Sequence, residues 1–173
     1  MKKVVVPLSN AGIAELIKSV NEYNVWLKER SNEFLRRLAK MGYNAASAKF
    51  GTAIYDGTND VVVKIEERDR NTMAIVATGT AMLFIEFGTG VTYPDNHPQA
   101  GELGMARGEY GDGHGKQSSW GYYGEPGSNG IVREKSDGST VVITQGNPAN
   151  MPMYETVKEL EASLTALAKE VFK

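Results

Sequence analysis

Residues 60–90 of the chain read DVVVKIEERDRNTMAIVATGTAMLFIEFGTG. In residues 60–68 a branched apolar side chain recurs at every second position, a pattern that predicts a half-buried strand. Residues 72–78 and 81–87 are almost wholly apolar, which predicts two central strands covered on both faces. Turn residues separate the three segments. The stretch therefore predicts an antiparallel run of strands in the middle of the chain.

Helical patterns lie before this predicted sheet. Apolar residues with the spacing of one helix face occur at Ile13, Leu16, Ile17 and Val20. After residues 21–24 the pattern predicts a second helix, and Gly42 is expected to end it in a left-handed conformation. Ser9 or Asn10 is a candidate N-cap for the first helix.

Further elements follow the predicted sheet. Residues 52–55 are a candidate partner strand, and residues 130–135 and 140–144 flank an Asp-Gly turn that predicts a hairpin. Pro152 stands in the first turn of a last helix, where a missing N–H costs nothing. Its apolar residues step by four and three: Met153, Val157, Leu160, Leu164, Leu167 and Val171. The expected fold is α+β, with N-terminal and C-terminal helices packed on a small antiparallel sheet.

The composition excludes several classes of protein. With 173 residues, 41% of them hydrophobic, the chain is expected to form one domain over residues 1–173. A net charge of −2 argues against a chain disordered throughout, and the lack of cysteine excludes a disulfide scaffold. Since no apolar run approaches about 20 residues, we expect no membrane partner.

Residues 88–130 form a glycine-rich insertion loop by composition. They hold 12 of the 19 glycines and show no apolar periodicity. A plain linker lacks aromatic residues, but this segment contains candidate assembly contacts at Tyr110, Trp120, Tyr122 and Tyr123. We expect residues 92–130 to order against a partner and to add little to the stability of the domain.

No constellation of residues predicts catalysis. The two histidines, His97 and His114, lack the close spacing of zinc ligands, and there is no Gly-x-Ser-x-Gly motif. We therefore expect no enzymatic activity, no metal and no other cofactor. Glu86, at the end of an apolar segment, either accepts hydrogen bonds from the turn that follows it or serves a binding role. A hydrolase that pairs Glu86 with Asp95 or Glu102 is the weakest alternative.

Two motifs carry a resemblance to a known family. The segment AMLFIEFGTG, which contains Glu86, Phe87, Gly88, Thr89 and Gly90, is similar to a motif of tailed-bacteriophage minor tail components, also called head–tail joining or tail-completion proteins. Their "G-x-P-A-x-x-P-M/F" motif before a C-terminal helix resembles residues 146–153. It contributes the matching residues Pro148, Ala149, Pro152 and Met153. The stretch WGYY at residues 120–123 resembles a further element of members that have long insertions.

The resemblance implies a structural role in the phage or prophage neck. Such a protein joins head to tail, as a homomeric ring around the DNA path, and no catalysis is attached to it. The implied partners are other copies of the chain, neighbouring head-connector or tail proteins, and DNA that passes without sequence recognition. The implied location is the virion, with the host cytoplasm during assembly. A monomeric binding module that uses residues 92–130 is the main alternative.

Overall fold

The computed structural model describes residues 5–90, 96–109 and 116–173. These residues form three helices and five strands: α1 (Asn10–Gly51), β1 (Val62–Asp69), β2 (Thr72–Thr78), α2 (Met82–Phe87), β3 (Trp120–Tyr122), β4 (Ile131–Glu134), β5 (Thr140–Thr144) and α3 (Pro152–Val171). The strands form one two-stranded and one three-stranded antiparallel sheet. The predicted α+β class, with helices at both ends of the chain, is confirmed.

The N-terminal region is one helix of 42 residues where we expected two. Ser9 caps it as predicted, because its hydroxyl accepts a hydrogen bond from the Gly12 N–H at 3.2 Å. Residues 21–24 include neither glycine nor proline, so nothing in them breaks the helix. At 1.5 Å per residue, α1 is about 63 Å long.

Gly42 lies inside α1 and is buried, so the prediction that it ends a helix is wrong. A Cβ atom at this position would lie 2.2 Å from Ile75 Cδ1 of β2 and 2.9 Å from Leu160 Cδ1 of α3. The missing side chain lets a strand and a helix approach α1 at the same level. The helix instead ends at Gly51, where the Thr52 N–H bonds to the Ala48 carbonyl.

The first sheet is a hairpin. β1 and β2 pair from Val62 opposite Thr78 to Asp69 opposite Thr72, with an irregularity between Glu67 and Asp69. This confirms strands within residues 60–78, but the expectation that residues 72–78 form a central strand is wrong, because in the described part of the chain β2 pairs with β1 alone. Residues 52–55 form no strand, so the expected partner strand is wrong.

Residues 81–87 were expected to be a central strand, but Met82–Phe87 is the short helix α2. A short apolar run does not distinguish a strand from a buried helix by periodicity alone. Ahead of α2, the Asp60 carboxylate accepts hydrogen bonds from the N–H groups of Thr80 and Ala81 at 2.8 and 2.9 Å. It also accepts one from the Thr80 hydroxyl. These bonds fix the backbone where the chain turns out of β2 into the helix.

The second sheet has the order β3-β5-β4. The predicted hairpin is β4 and β5, paired from Ile131 opposite Ile143 to Glu134 opposite Thr140. β3 lies inside the segment expected to be a loop, and its three residues pair with Val142–Thr144 of β5. Part of the glycine-rich segment therefore belongs to a sheet of the domain.

The last helix begins at Pro152 as predicted and runs antiparallel along α1. Two ion pairs join the helices, Lys49 to Glu159 at 2.7 Å and Arg37 to Glu170 at 2.6 Å. The predicted apolar face is confirmed only in part. Leu167 is 7% exposed and Val171 is buried, whereas Leu164 is 38% exposed.

The main core lies where α1, the first sheet and α2 meet. It is centred on buried residues of all these elements, among them Ala46 and Phe50 of α1, Val63 of β1 and Ile85 of α2. Met153, at the start of α3, packs against it. α2 and the start of α3 are thus held at one end of the domain, where the candidate site lies.

Candidate functional site

The two segments that carry the family resemblance meet in the structure. Residues 85–90 and 145–154, here called the joint, lie side by side. The Asn150 N–H donates to the Ile85 carbonyl at 2.9 Å, and the Met151 N–H donates to the Glu86 carbonyl at 3.3 Å. Thr89 and Asn147 exchange backbone hydrogen bonds in both directions, at 2.8 and 3.2 Å.

Glu86 caps helix α3 across the joint. Its Oε2 accepts the Met153 N–H at 2.8 Å, and its Oε1 accepts the Tyr154 N–H at 2.9 Å. These are the second and third residues of α3, whose N–H groups have no partner within the helix. Met151, the formal N-cap residue, has a left-handed backbone and makes no side-chain cap bond. The carboxylate also faces the positive end of the helix dipole.

The expectation that Glu86 accepts backbone hydrogen bonds is therefore right in kind but wrong in its donors. We predicted donors in the turn that follows Glu86, and the donors belong to a helix 67 residues further along. Glu86 is buried, with 4% of the residue's surface exposed. Glu102, its predicted catalytic partner, is exposed, and Asp95 lies outside the described residues.

His97 completes the site, and sequence reasoning missed its role. Its Nε2 lies 3.1 Å from Glu86 Oε1. The Gln99 N–H donates to His97 Nδ1 at 3.2 Å, so Nδ1 is an acceptor and Nε2 carries the hydrogen toward Glu86. The imidazole is buried between the rings of Phe87 and Tyr154, at centroid distances of 4.5 and 5.1 Å. The hydrogen bond and the two ring contacts therefore hold the chain at His97 against the joint.

Glycines allow the two segments of the joint to approach closely. Gly88 has φ of +79°, and a Cβ there would lie 2.7 Å from the Ala149 N atom and 2.8 Å from the Asn147 carbonyl oxygen. A Cβ at Gly146 would lie 2.3 Å from the Thr89 carbonyl oxygen. Backbone contacts as close as these exclude any larger residue.

A buried polar network extends from the joint to the second sheet. The Asp56 carboxylate accepts hydrogen bonds from the Asn129 N–H at 2.5 Å and from the Thr144 hydroxyl at 2.7 Å. The Asp56 N–H donates to the Asn147 side-chain oxygen. Burial, together with the nearby Asp56 charge, raises the pKa of Tyr122 to about 12. Residues 56 and 57 read Asp-Gly, a pair typical of turns, but nothing in the local sequence indicates the long-range partners of Asp56.

The remaining residues of the two motifs are buried or half-buried and pack in or beside the joint. Phe87 is buried against His97, and Met153 packs on the main core. Pro152 is fully buried at the start of α3. Pro148 and Ala149 are half-buried in the joint. A Cβ atom at position 90, where the chain has Gly90, would lie 3.0 Å from the Trp120 ring.

The predicted aromatic contacts are not equivalent. Trp120 and Tyr122 are half-buried in β3, and the Tyr122 hydroxyl donates to the Glu125 carbonyl at 2.8 Å. Tyr123 is 71% exposed, and the Lys135 ammonium lies 4.7 Å from the centre of its ring. Tyr110 and His114 lie outside the described residues. Of the three described residues, Tyr123 is therefore the one that is mainly exposed.

The joint is built to hold backbone segments together. Both oxygens of Glu86 are occupied by N–H donors, and its imidazole partner is enclosed by two rings. Among the described residues, no three His, Asp or Glu side chains are grouped as metal ligands, and no helix has the length and apolar character needed to span a membrane.

No family model, curated protein or solved structure matches the chain.

Proposed function

We propose that the chain is a structural protein of a tailed-bacteriophage neck, which joins head to tail as a homomeric ring around the DNA path. The observation that carries the proposal is the joint. The two motifs that resemble tail-completion proteins lie far apart in the sequence, yet Glu86 of one accepts the N–H groups of Met153 and Tyr154 beside the other. A pair of motifs joined in this way has a physical reason to occur together.

The same geometry argues against a hydrolase that uses Glu86. A general acid or base must reach its substrate within hydrogen-bond distance. Glu86 is 4% exposed, and its oxygens already bond to three donors. Its carboxylate stabilises the start of a helix, which is a structural task.

The partners in this proposal are other copies of the chain, head-connector or tail proteins, and DNA contacted without sequence recognition. The protein would be located in the virion and, during assembly, in the host cytoplasm. One observation supports the alternative function, a monomeric binding module: the ring of Tyr123 is exposed beside Lys135. It differs from the leading proposal in requiring no self-association.

Deletion of the gene from a phage genome that carries it tests the proposal. We expect electron micrographs of the lysate to show DNA-filled heads and separate tails, and a plasmid copy of the gene to restore joined particles. Purified protein, imaged alone, is expected to form rings. Infectious particles with attached tails from the deletion phage would overturn the proposal, as would a protein that stays monomeric in the particle.

A further inference from the structure

The N-terminal part of α1 extends beyond the helix that packs on it. α3 ends at Val171, and the ring of the next residue, Phe172, lies 6.3 Å from the ring of Trp26 and 6.0 Å from that of Phe34. Residues 10–25 of α1 therefore continue past the end of α3, for about 24 Å at 1.5 Å per residue. A helix of this length is marginal in water without a packed face.

This extension carries a regular apolar stripe. The stripe steps by 3, 4, 3 and 4 residues through Ile13, Leu16, Val20, Tyr23 and Leu27. These side chains are 38–58% exposed. Alternating steps of three and four residues mark the a and d positions of the coiled-coil heptad, whose seven positions are lettered a to g. In a coiled coil the a and d side chains pack against another helix.

Past Arg30, which takes the next d position, the a positions of the stripe continue into a surface that already receives a helix. Phe34 follows Leu27 by seven residues and so takes the same heptad position, and its ring packs on Phe172 at the end of α3. Farther toward the N-terminus the same heptad positions are half-exposed. The expected occupant of the stripe is consequently a helix with a matching heptad pattern.

The residue types identify that helix as another copy of α1. Ile13 and Val20 are β-branched residues at a positions and Leu16 is at a d position, a combination that favours two parallel strands. Leu27 and Tyr23 fill the remaining a and d positions of the stripe. The flanking e and g positions are uncharged: Ile17, Ser19, Asn24 and Trp26. Two identical helices can therefore meet here without placing like charges opposite each other.

The charged residues of the extension lie away from the stripe. Glu15 and Glu22 take c positions and Lys18 an f position, and Lys18 pairs with Glu22 within its own helix at 3.9 Å. We propose that a second copy of this chain docks residues 13–27 of its own α1 in parallel on this stripe. The inference goes beyond the proposed function: a pair in which the same residues meet is two-fold symmetric and joins two copies, whereas a ring needs a separate head-to-tail surface.

Two valines of the extension provide a matched test. Val20 lies on the stripe and is 49% exposed, whereas Val25 takes an f position, away from the stripe, and is 57% exposed. In sedimentation velocity over a concentration series, we expect the full chain and Val25→Glu to self-associate equally. Val20→Glu is expected to weaken that association at least tenfold, with the thermal unfolding transition of the domain retained.

Orientation is tested by cross-linking, since the chain has no cysteine. In a parallel pair Leu16 meets Leu16, so Leu16→Cys is expected to form a disulfide-linked dimer under mild oxidation, and Val25→Cys is not. Association that Val20→Glu abolishes, without a Leu16→Cys cross-link, would overturn the parallel arrangement.

The failures of the two proposals can be told apart. Val20→Glu protein that self-associates as tightly as the parent would overturn the docking inference and leave the neck proposal standing. Wild-type protein that is monomeric at every concentration would overturn the docking inference and remove the support for a self-assembled ring in solution. Normal head–tail joining by the gene-deletion phage would instead count against the neck proposal alone.

Discussion

At Glu86 a single carboxylate binds two backbone N–H groups and one imidazole. Buried carboxylates are stable when their oxygens are fully hydrogen-bonded, and an unpaired buried donor costs about 1–3 kcal/mol. Since Met153 and Tyr154 lie in the first turn of α3, Glu86 links α2 to the C-terminal helix. Loss of the Glu86 carboxylate should therefore lower the free energy of unfolding.

Substitution of Glu86 tests this role. Glu86→Gln keeps one oxygen but turns an amide N–H₂ toward a donor, so we expect a loss of about 1–2 kcal/mol of unfolding free energy. Glu86→Leu leaves all three donors without a partner, and we expect a loss of about 3–5 kcal/mol. Urea denaturation measures both, with the exposed Glu161→Gln of α3 as the control, expected within about 0.5 kcal/mol of the parent. Equal stability of Leu and Gln variants would contradict the capping role.

Gly88 and Gly138 both have a positive φ, but Gly88 combines it with a ψ of 175°, which disfavours any side chain further, and with a close approach of backbone atoms. Their φ angles are +79° and +80°, but a Cβ at Gly138 meets no atom within 4 Å, whereas one at Gly88 meets backbone atoms. We expect Gly138→Ala to cost about 1–2 kcal/mol, and Gly88→Ala to cost about 3 kcal/mol or more because the joint must also open. Denaturation curves of the two variants make the comparison, and similar losses would contradict the tight contact.

Asp60 gives the fold a specific acid dependence. Hydrogen bonds from Ala81 and Thr80 lower the pKa of Asp60 to about 2. A carboxyl whose pKa is lower in the folded state stabilises the fold above its unfolded value, near 4. That contribution is lost as the pH falls from about 4 toward 2. We expect the difference in melting temperature between wild type and Asp60→Asn to shrink over this range, and a constant difference would contradict the assignment.

At the scale of elements, only part of the apolar face of α3 is buried. Leu167 is 7% exposed and Leu164 is 38% exposed, although both follow the same alternating steps in the sequence. Among the described residues α3 packs mainly against α1, so side chains on the far side of the stripe are open to solvent.

The two leucines are expected to differ in their effect on stability. Leu167→Ala should reduce the free energy of unfolding by about 2–5 kcal/mol, because it leaves a cavity against α1. Leu164→Ala should cost clearly less, since water already reaches the side chain. Thermal and chemical denaturation of both variants test this expectation, and a larger loss for Leu164→Ala would show that α3 packs in another rotation.

At the scale of the whole molecule, the glycine-rich segment is partly built into the domain. His97 is buried at the joint, β3 pairs with β5, and the Ser128 N–H bonds to the Tyr55 carbonyl at 3.0 Å. These contacts argue against the expectation that residues 92–130 add little to stability. The hydrogen bonds of Met105 and Glu109, in contrast, are to residues nearby in the sequence.

Two deletions separate these parts. Replacing residues 92–130 with a short Gly-Ser link should abolish the cooperative thermal transition, because β3 and the His97 contact are lost together. Replacing only residues 106–117 should preserve it, since loop-closure free energy changes slowly with length. Circular dichroism during heating measures both variants. A cooperative transition in the longer deletion would show that the segment is separable after all.

Local chemistry was enough to predict several elements of this protein. The Asp-Gly turn gave the β4–β5 hairpin, alternation gave β1, and Pro152 marked the start of α3. Each signal acts within a few residues, so the sequence around it contains the whole cause. The helical character of the N-terminal region and the α+β class followed in the same way.

Long-range contacts settled the remainder. α2 is a helix because Asp60 and the core fix an apolar run that suits either state, and Gly42 is a packing residue because β2 and α3 both approach it. The donors to Glu86 could not be predicted, because they come from a helix 67 residues away. Such contacts depend on how the elements pack in three dimensions. The periodicity of one segment carries no information about where a distant segment will lie.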